Sequence, residues 1–472
     1  MRGLISVLPT APDASHIVAP QSMYPFLLAA RATTHPLLVV TSSSRSSEDL
    51  VNELRELYDD VLEFPAWETL PHERLSPRSD TVAKRIQTLY SLQNKHSINP
   101  IVVTPVRGAI HRIISNLGST PLMKLEVGKE QSLDLLVRHL ASLAYSRTDL
   151  VERRGEFAVR GGIVDMFLPL SHHPIRIDFF GDEIEDLSYF EVSDQRTFAP
   201  VIGGVDIYPC REMLLTPDVK HRAIEIKDEY PAASEMLEKI SEGIAFEGME
   251  SLIPLLIDET QTLLSRMPAN TEVVFIDEQR IRSRAADLLA TNEEFLNASW
   301  SNAALGAIAP LHDGAGTYIS WEELKDEIIS CSVTTAELSP FGSDLDESTT
   351  FLDYAPIDPM RGDIERTTEV LRQALEDHRT VIFATHGHGM LERYAGIFRS
   401  ADLPVHIVEN LITEPTRGSI YLTTSIITHG FESAADQIFF MTERDLTGSK
   451  GSVKDGERMP SKRKQAIDPL EL

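Results

Sequence analysis

Residues Gly155–Thr197 read GEFAVRGGIVDMFLPLSHHPIRIDFFGDEIEDLSYFEVSDQRT, and their alternation decides the local fold. From Pro174 to Phe180, Ile175, Ile177 and Phe179 fall on one face of an extended strand, with Arg176, Asp178 and Phe180 on the other. Gly181-Asp182 is a two-residue hairpin connection with glycine at its first central position. Upstream, Phe157 and Val159 oppose Glu156, Ala158 and Arg160, and Gly161-Gly162 bends or bulges the chain into the next strand. Leu133–Leu143 has helical spacing. Together these predict a small antiparallel α+β insert over 124–206. If the isoleucine face is core, two arginines and a phenylalanine are left outward. Arginine and aromatic residues concentrate at the energetic centres of interfaces. By pattern alone, a solvated face with Arg176 or Arg160 paired to Asp178 or Glu183 remains open beside that reading.

Outward from the insert, the chain is α/β. Pro36–Thr41, Val61–Phe64 and Pro100–Thr104 read as strands. They alternate with helical stretches at Ser46–Leu57, Asp80–Leu92 and Val106–Ile114, the spacing of a parallel sheet over 1–123. Residues 207–350 return to helices, at Lys220–Ile226 and Ala232–Ser241, with one clear strand at Glu272–Asp277; the polar Ser339–Thr350 reads as a linker. Over 351–447 a second small α/β domain is expected, with strands at Thr380–Ala384, Val405–Val408, Ser419–Thr423 and Gln437–Met441 and a helix at Met390–Ser400. Residues 448–472 are polar and basic and read as a linker or tail.

Composition narrows the function classes. The 472 residues carry a formal net charge of −28, which repels a phosphate backbone and argues against stand-alone nucleic-acid binding. Two cysteines, Cys210 and Cys331, make neither a disulfide framework nor a cysteine zinc site. There is no membrane-length apolar run and no cleavable leader pattern, so a cytoplasmic location is expected. A phosphate loop needs G-x-x-x-x-G-K-[ST]. The only Gly-Lys pair, Gly128-Lys129, is followed by Glu130, and the stretch expected before the first helix, PTAPDASH (9–16), holds no glycine. His386 and His388, with His429, have residue types that could ligate a metal, but a Gly-rich turn at a strand end accounts for the first two. Lys450, Lys454, Arg458, Lys462, Arg463 and Lys464 read as a solvated tail rather than a nucleic-acid contact. No catalytic, cofactor or metal constellation is expected.

GEFAVRGGIVDMF (155–167) and PIRIDFFGDEIEDLSYFEVSDQRT (174–197) resemble the signature shared by the excision-repair protein UvrB and the N-terminal part of transcription-repair coupling factors (Mfd). FPAWETLPHERLSP (64–77), RSDTVAKRIQTL (78–89) and ADQIFFMTERDLT (435–447) resemble the coupling-factor version. The resemblance implies two degenerate RecA-like halves, 1–123 and 207–350, flanking an insert that binds UvrA, the damage-recognition protein. It places the UvrA contacts on Arg160, Arg176 and Phe180, the outward residues of the strand pattern. Truncating Arg176 or Phe180 is expected to weaken UvrA binding with little effect on folding. The resemblance further implies a non-catalytic recruitment module, without ATP or Mg of its own. RNA polymerase and DNA would be engaged through an ATP-driven translocase half beyond Leu472, and a far C-terminal domain would mask the UvrA surface by intramolecular contact. Two other classes stay open: a structural module that restrains the motor, and a nucleotide hydrolase with an unrecognised phosphate site.

Overall fold

The computed structural model describes Leu8 and residues 14–70, 75–94, 98–304, 317–342, 349–408, 411 and 415–448. Its largest element is a seven-stranded sheet in which every neighbouring pair is parallel. The order across it is Thr349–Phe351, His16–Val18, Thr334–Ser339, Glu272–Ile276, Leu37–Thr41, Ile101–Pro105, Val61–Glu63. Central strands buried on both faces read as continuous apolar runs. In Leu37–Thr41, Leu38 and Val40 enter the core on one face, and Leu37 and Val39 that on the other.

In this order the strands of the two expected halves share one sheet. Glu272–Ile276 lies between Leu37–Thr41 and Thr334–Ser339, while His16–Val18 lies between Thr334–Ser339 and Thr349–Phe351. Residues 1–123 and 207–350 therefore interleave strands in one sheet, because each buried strand needs a hydrogen-bonded neighbour on both edges. Buried ion pairs join the same two stretches. Arg31 pairs with Glu272, and fully buried Arg85 donates from Nε to Glu212 at 2.5 Å, where Trp67 Nε1 also donates at 2.8 Å.

Several local expectations need correction. Strand His16–Val18 and helix Tyr24–Arg31 were not read from the sequence. The helix is buried on nearly every side, so it carries no polar face to reveal its period. The strand-to-helix connection is consequently Ala19–Met23 rather than residues 9–16, of which 9–13 lie outside the described residues. Expected helix Val106–Ile114 stops at Ala109, because Ile113–Ile114 pair with Thr260–Gln261 and His111 bridges Tyr318. The expected linker at 339–350 begins as the end of strand Thr334–Ser339 and runs into strand Thr349–Phe351, its middle (343–348) lying outside the described residues.

The insert holds a six-stranded sheet in the order Thr197–Pro200, Glu183–Phe190, Ile175–Phe180, Ile163–Met166, Glu156–Arg160, Ser146–Arg147. Helix Leu133–Ser142 packs Leu136 and Leu140 against its inner face. Met123–Leu125 and Val205–Ile207 pair antiparallel at the point where the chain enters and leaves. Residues 355–442 form a third sheet of six strands. Two of its strands press Phe431 and Phe440 edge-on against Phe26 of helix Tyr24–Arg31, at ring-centroid distances of 5.3 and 6.0 Å.

Candidate partner-docking site

Two glycine turns build the outward face of the insert. Gly161 (φ +62) and Gly181 (φ +64) each open a two-residue connection, closed by the pairs Arg160↔Ile163 and Phe180↔Glu183. Gly161-Gly162 is thus a hairpin turn like Gly181-Asp182, not a mere bend. Each glycine occupies the left-handed region that a side chain would strain. The strands between are antiparallel, so both tips lie at one end of the sheet, tied by Phe179 N–H donating to Gly162 O at 2.9 Å. Arg160 and Phe180 are therefore brought together, each the last residue before its turn.

Cross-strand partners share a face. One row is Arg160, Ile163, Asp178 and Asp186; the next is Ala158, Asp165, Arg176 and Ser188. The register shift beside Asp178/Phe179 leaves Glu185 as the extra residue on its strand. Phe179 consequently stays against the insert core and Phe180 stays outward. The alternation read from the sequence survives the bulge.

Phe180 is 77% exposed. Its hairpin is pinned from behind: Gly128 N–H donates to Ile184 O (2.8 Å), Ile184 N–H to Lys129 O (3.1 Å) and Gln131 N–H to Asp182 O (2.6 Å). An apolar ring is thus held in water on a fixed support. Ile163, in the row beside it, is also exposed, and the sequence reading missed it. The cross-strand register could have found it, since Ile163 must face the same way as Arg160 once the turn has two residues. Arg160 is exposed and donates only to the Asp149 carbonyl, at 2.9 Å, leaving its charge without a carboxylate partner among the described residues.

Arg176 differs. It makes a two-pronged ion pair with Asp165, Nε–Oδ1 2.7 Å and Nη2–Oδ2 2.9 Å, and Nη1 donates to Gln195 O at 3.2 Å. Its guanidinium also lies over the Phe190 ring, 5.0 Å from the centroid. The Arg176 side chain is 20% exposed and that of Asp165 only 2%. The hydrogen bonds to Asp165 push the arginine pKa up further. Its partner is Asp165, not the Asp178 or Glu183 considered from the sequence. Removing Arg176 would strand a buried carboxylate, which corrects the expectation that its truncation leaves folding untouched.

The histidines do not converge. His386 Nδ1 lies 3.1 Å from Ser425 O, and His429 Nδ1 lies 3.4 Å from Asp445. His388 opens helix His388–Ser400 behind Gly387. Among the described residues no group of three or more His, Cys, Asp or Glu could hold a metal ion. No described helix is long and apolar enough to cross a membrane. The basic residues from Lys450 to Lys464 lie outside the described residues.

Residues 123–213 match the UvrB interaction domain family. The chain is 36% identical to the transcription-repair-coupling factor of Mycobacterium bovis over 98% of its own length and 39% of that protein's. It is 26% identical to the Escherichia coli transcription-repair-coupling factor over 88% of its own length and 36% of the relative's. Against that of Bacillus subtilis the figures are 28% identity, 57% and 24%. The chain thus spans about a quarter to two-fifths of the length of these relatives. The insert and the match along nearly the whole chain agree in marking this chain as similar to an N-terminal region of transcription-repair-coupling factors.

Proposed function

We propose that this chain is a recruitment module in transcription-coupled nucleotide excision repair, and that its insert docks UvrA. The single observation that carries this reading is Phe180. It is a large apolar side chain held in solvent on a pinned hairpin, inside the segment that matches the UvrB interaction domain. Phe180 enters a pocket on UvrA, Ile163 widens the apolar contact, and Arg160 pairs with a carboxylate of the partner. Arg176 holds the face in shape through Asp165 and contributes its remaining N–H groups. In the whole protein an ATP-driven translocase displaces stalled RNA polymerase, and this module delivers UvrA to the site. A far C-terminal domain covers the same face at rest.

The test is a calorimetric titration of the chain with purified UvrA, wild type beside Phe180→Ala. Anchors of this kind are worth about 2 kcal/mol or more on truncation, roughly a 30-fold loss of affinity. The melting temperature should stay unchanged, because an exposed side chain away from the core contributes little to folding. Equal affinities would remove Phe180 from the interface, and no binding by the wild type would remove the recruitment reading.

A further inference from the structure

A cavity of about 340 Å³ lies on the seam between the parallel sheet and the segment that follows the insert. Its volume is in the range of small-molecule sites. Ile114, Ile253, Pro254 and Ile257 supply apolar wall, with the Trp67 ring beside them.

The polar lining sets three carboxylates beside a group of uncommitted donors. His111 is buried, and its Nδ1 lies 3.2 Å from Arg85 Nη2. A guanidinium can only donate, so Nδ1 accepts and the proton sits on Nε2. That N–H has no acceptor among the described residues. Burial and the charges of Arg85 and Arg107 hold the ring neutral, so this tautomer persists. Thr317 is 8% exposed, and its hydroxyl has no partner. A buried hydroxyl left unpaired costs free energy that a ligand atom would recover. The Arg112 side chain makes no hydrogen bond or ion pair among the described residues, and its charge helps to lower the Glu323 pKa. Three acids line the space, and of these Glu212 is taken by Arg85 and Glu250 by Arg211. Asp258 is exposed to solvent.

We infer that this cavity is a binding site for a small organic anion, one with a planar apolar body and a single carboxylate or phosphate. The anionic group takes hydrogen bonds from His111 Nε2, Thr317 Oγ1 and Arg112, while the body rests between Trp67 and the isoleucine wall. This site is separate from the outward face of the insert and does not depend on UvrA.

The experiment titrates the full chain with benzoate, phenyl phosphate and neutral benzamide, reading tryptophan fluorescence and calorimetric heat together. Saturable binding of at least one of the two anions is expected, with Kd of about 1 mM or tighter. Which anion binds more tightly identifies the head group. Benzamide should bind at least tenfold more weakly. Arg112→Gln and Thr317→Val should each weaken anion binding at least fivefold. Thr317→Val is nearly isosteric and removes only an unpaired hydroxyl, so its melting temperature should not fall. The inference is overturned if neither anion saturates, if benzamide binds equally well, or if both variants bind as the wild type does.

Discussion

At the residue scale, the three outward residues of the insert divide by what already holds them. Phe180 and Arg160 are presented to solvent, whereas Arg176 is committed to Asp165. A buried carboxylate that loses its partner costs about 3 kcal/mol. Arg176→Ala should therefore lower the urea-unfolding free energy by about that amount, while Arg160→Ala stays within about 0.5 kcal/mol of wild type. Any binding loss in Arg176→Ala then has to be read against its folded fraction. A change below about 1 kcal/mol would mean that water solvates Asp165 when the guanidinium leaves. The alternation of 175–180 was legible in the sequence, and with it the outward set. The Asp165 pairing was not, because it follows from which residue stands opposite Arg176 across the strands.

At the scale of elements, helix Ser44–Leu57 ties the C-terminal sheet to the parallel sheet. Glu53 accepts from Thr428 N–H at 3.1 Å and from its hydroxyl at 2.8 Å, and Glu56 accepts from Ile426 N–H at 2.7 Å. Burial raises the Glu53 pKa above the ordinary carboxylate value, more than the Thr428 hydrogen bonds lower it. The folded chain then holds a proton that the unfolded chain has released, in the window between the two values. Stability contributed by this group falls as pH rises through that window and stays lower above it. Glu53→Gln keeps an acceptor for Thr428 and has nothing to titrate. Its melting temperature should depend less on pH across the mildly acidic range than that of the wild type. An identical slope would show that the carboxylate is hydrated when the domains are docked. Part of the slope should survive, since burial raises Glu250 as well.

At the scale of the whole molecule, the insert is closed on itself and the parallel sheet is not. The insert has its own core, and its two ends meet in one antiparallel pair. Residues 123–213 expressed alone should unfold cooperatively on heating, with a sigmoidal circular-dichroism transition. Residues 1–123 alone should not, because strands Leu37–Thr41 and His16–Val18 lose neighbours supplied from 272–339. A cooperative melt of 1–123 would show that its four strands of the parallel sheet can re-pair without them.

The sequence alone determined the local grammar: apolar runs that must be strands buried on both faces, glycines that must turn, and a strand whose alternation pushes Arg176 and Phe180 outward. These follow from periods of a few residues, which neighbouring side chains set between them. Tertiary structure decided what depends on distant partners. It interleaved two stretches of chain into one sheet, hid helix Tyr24–Arg31 between two sheets, and ended the helix after Ala109 so that Ile113–Ile114 could pair with Thr260–Gln261. It also separated Arg176 from its two companions by supplying Asp165. Pairing energy between segments far apart in the chain is collected only when the fold brings them together, so no local pattern records it.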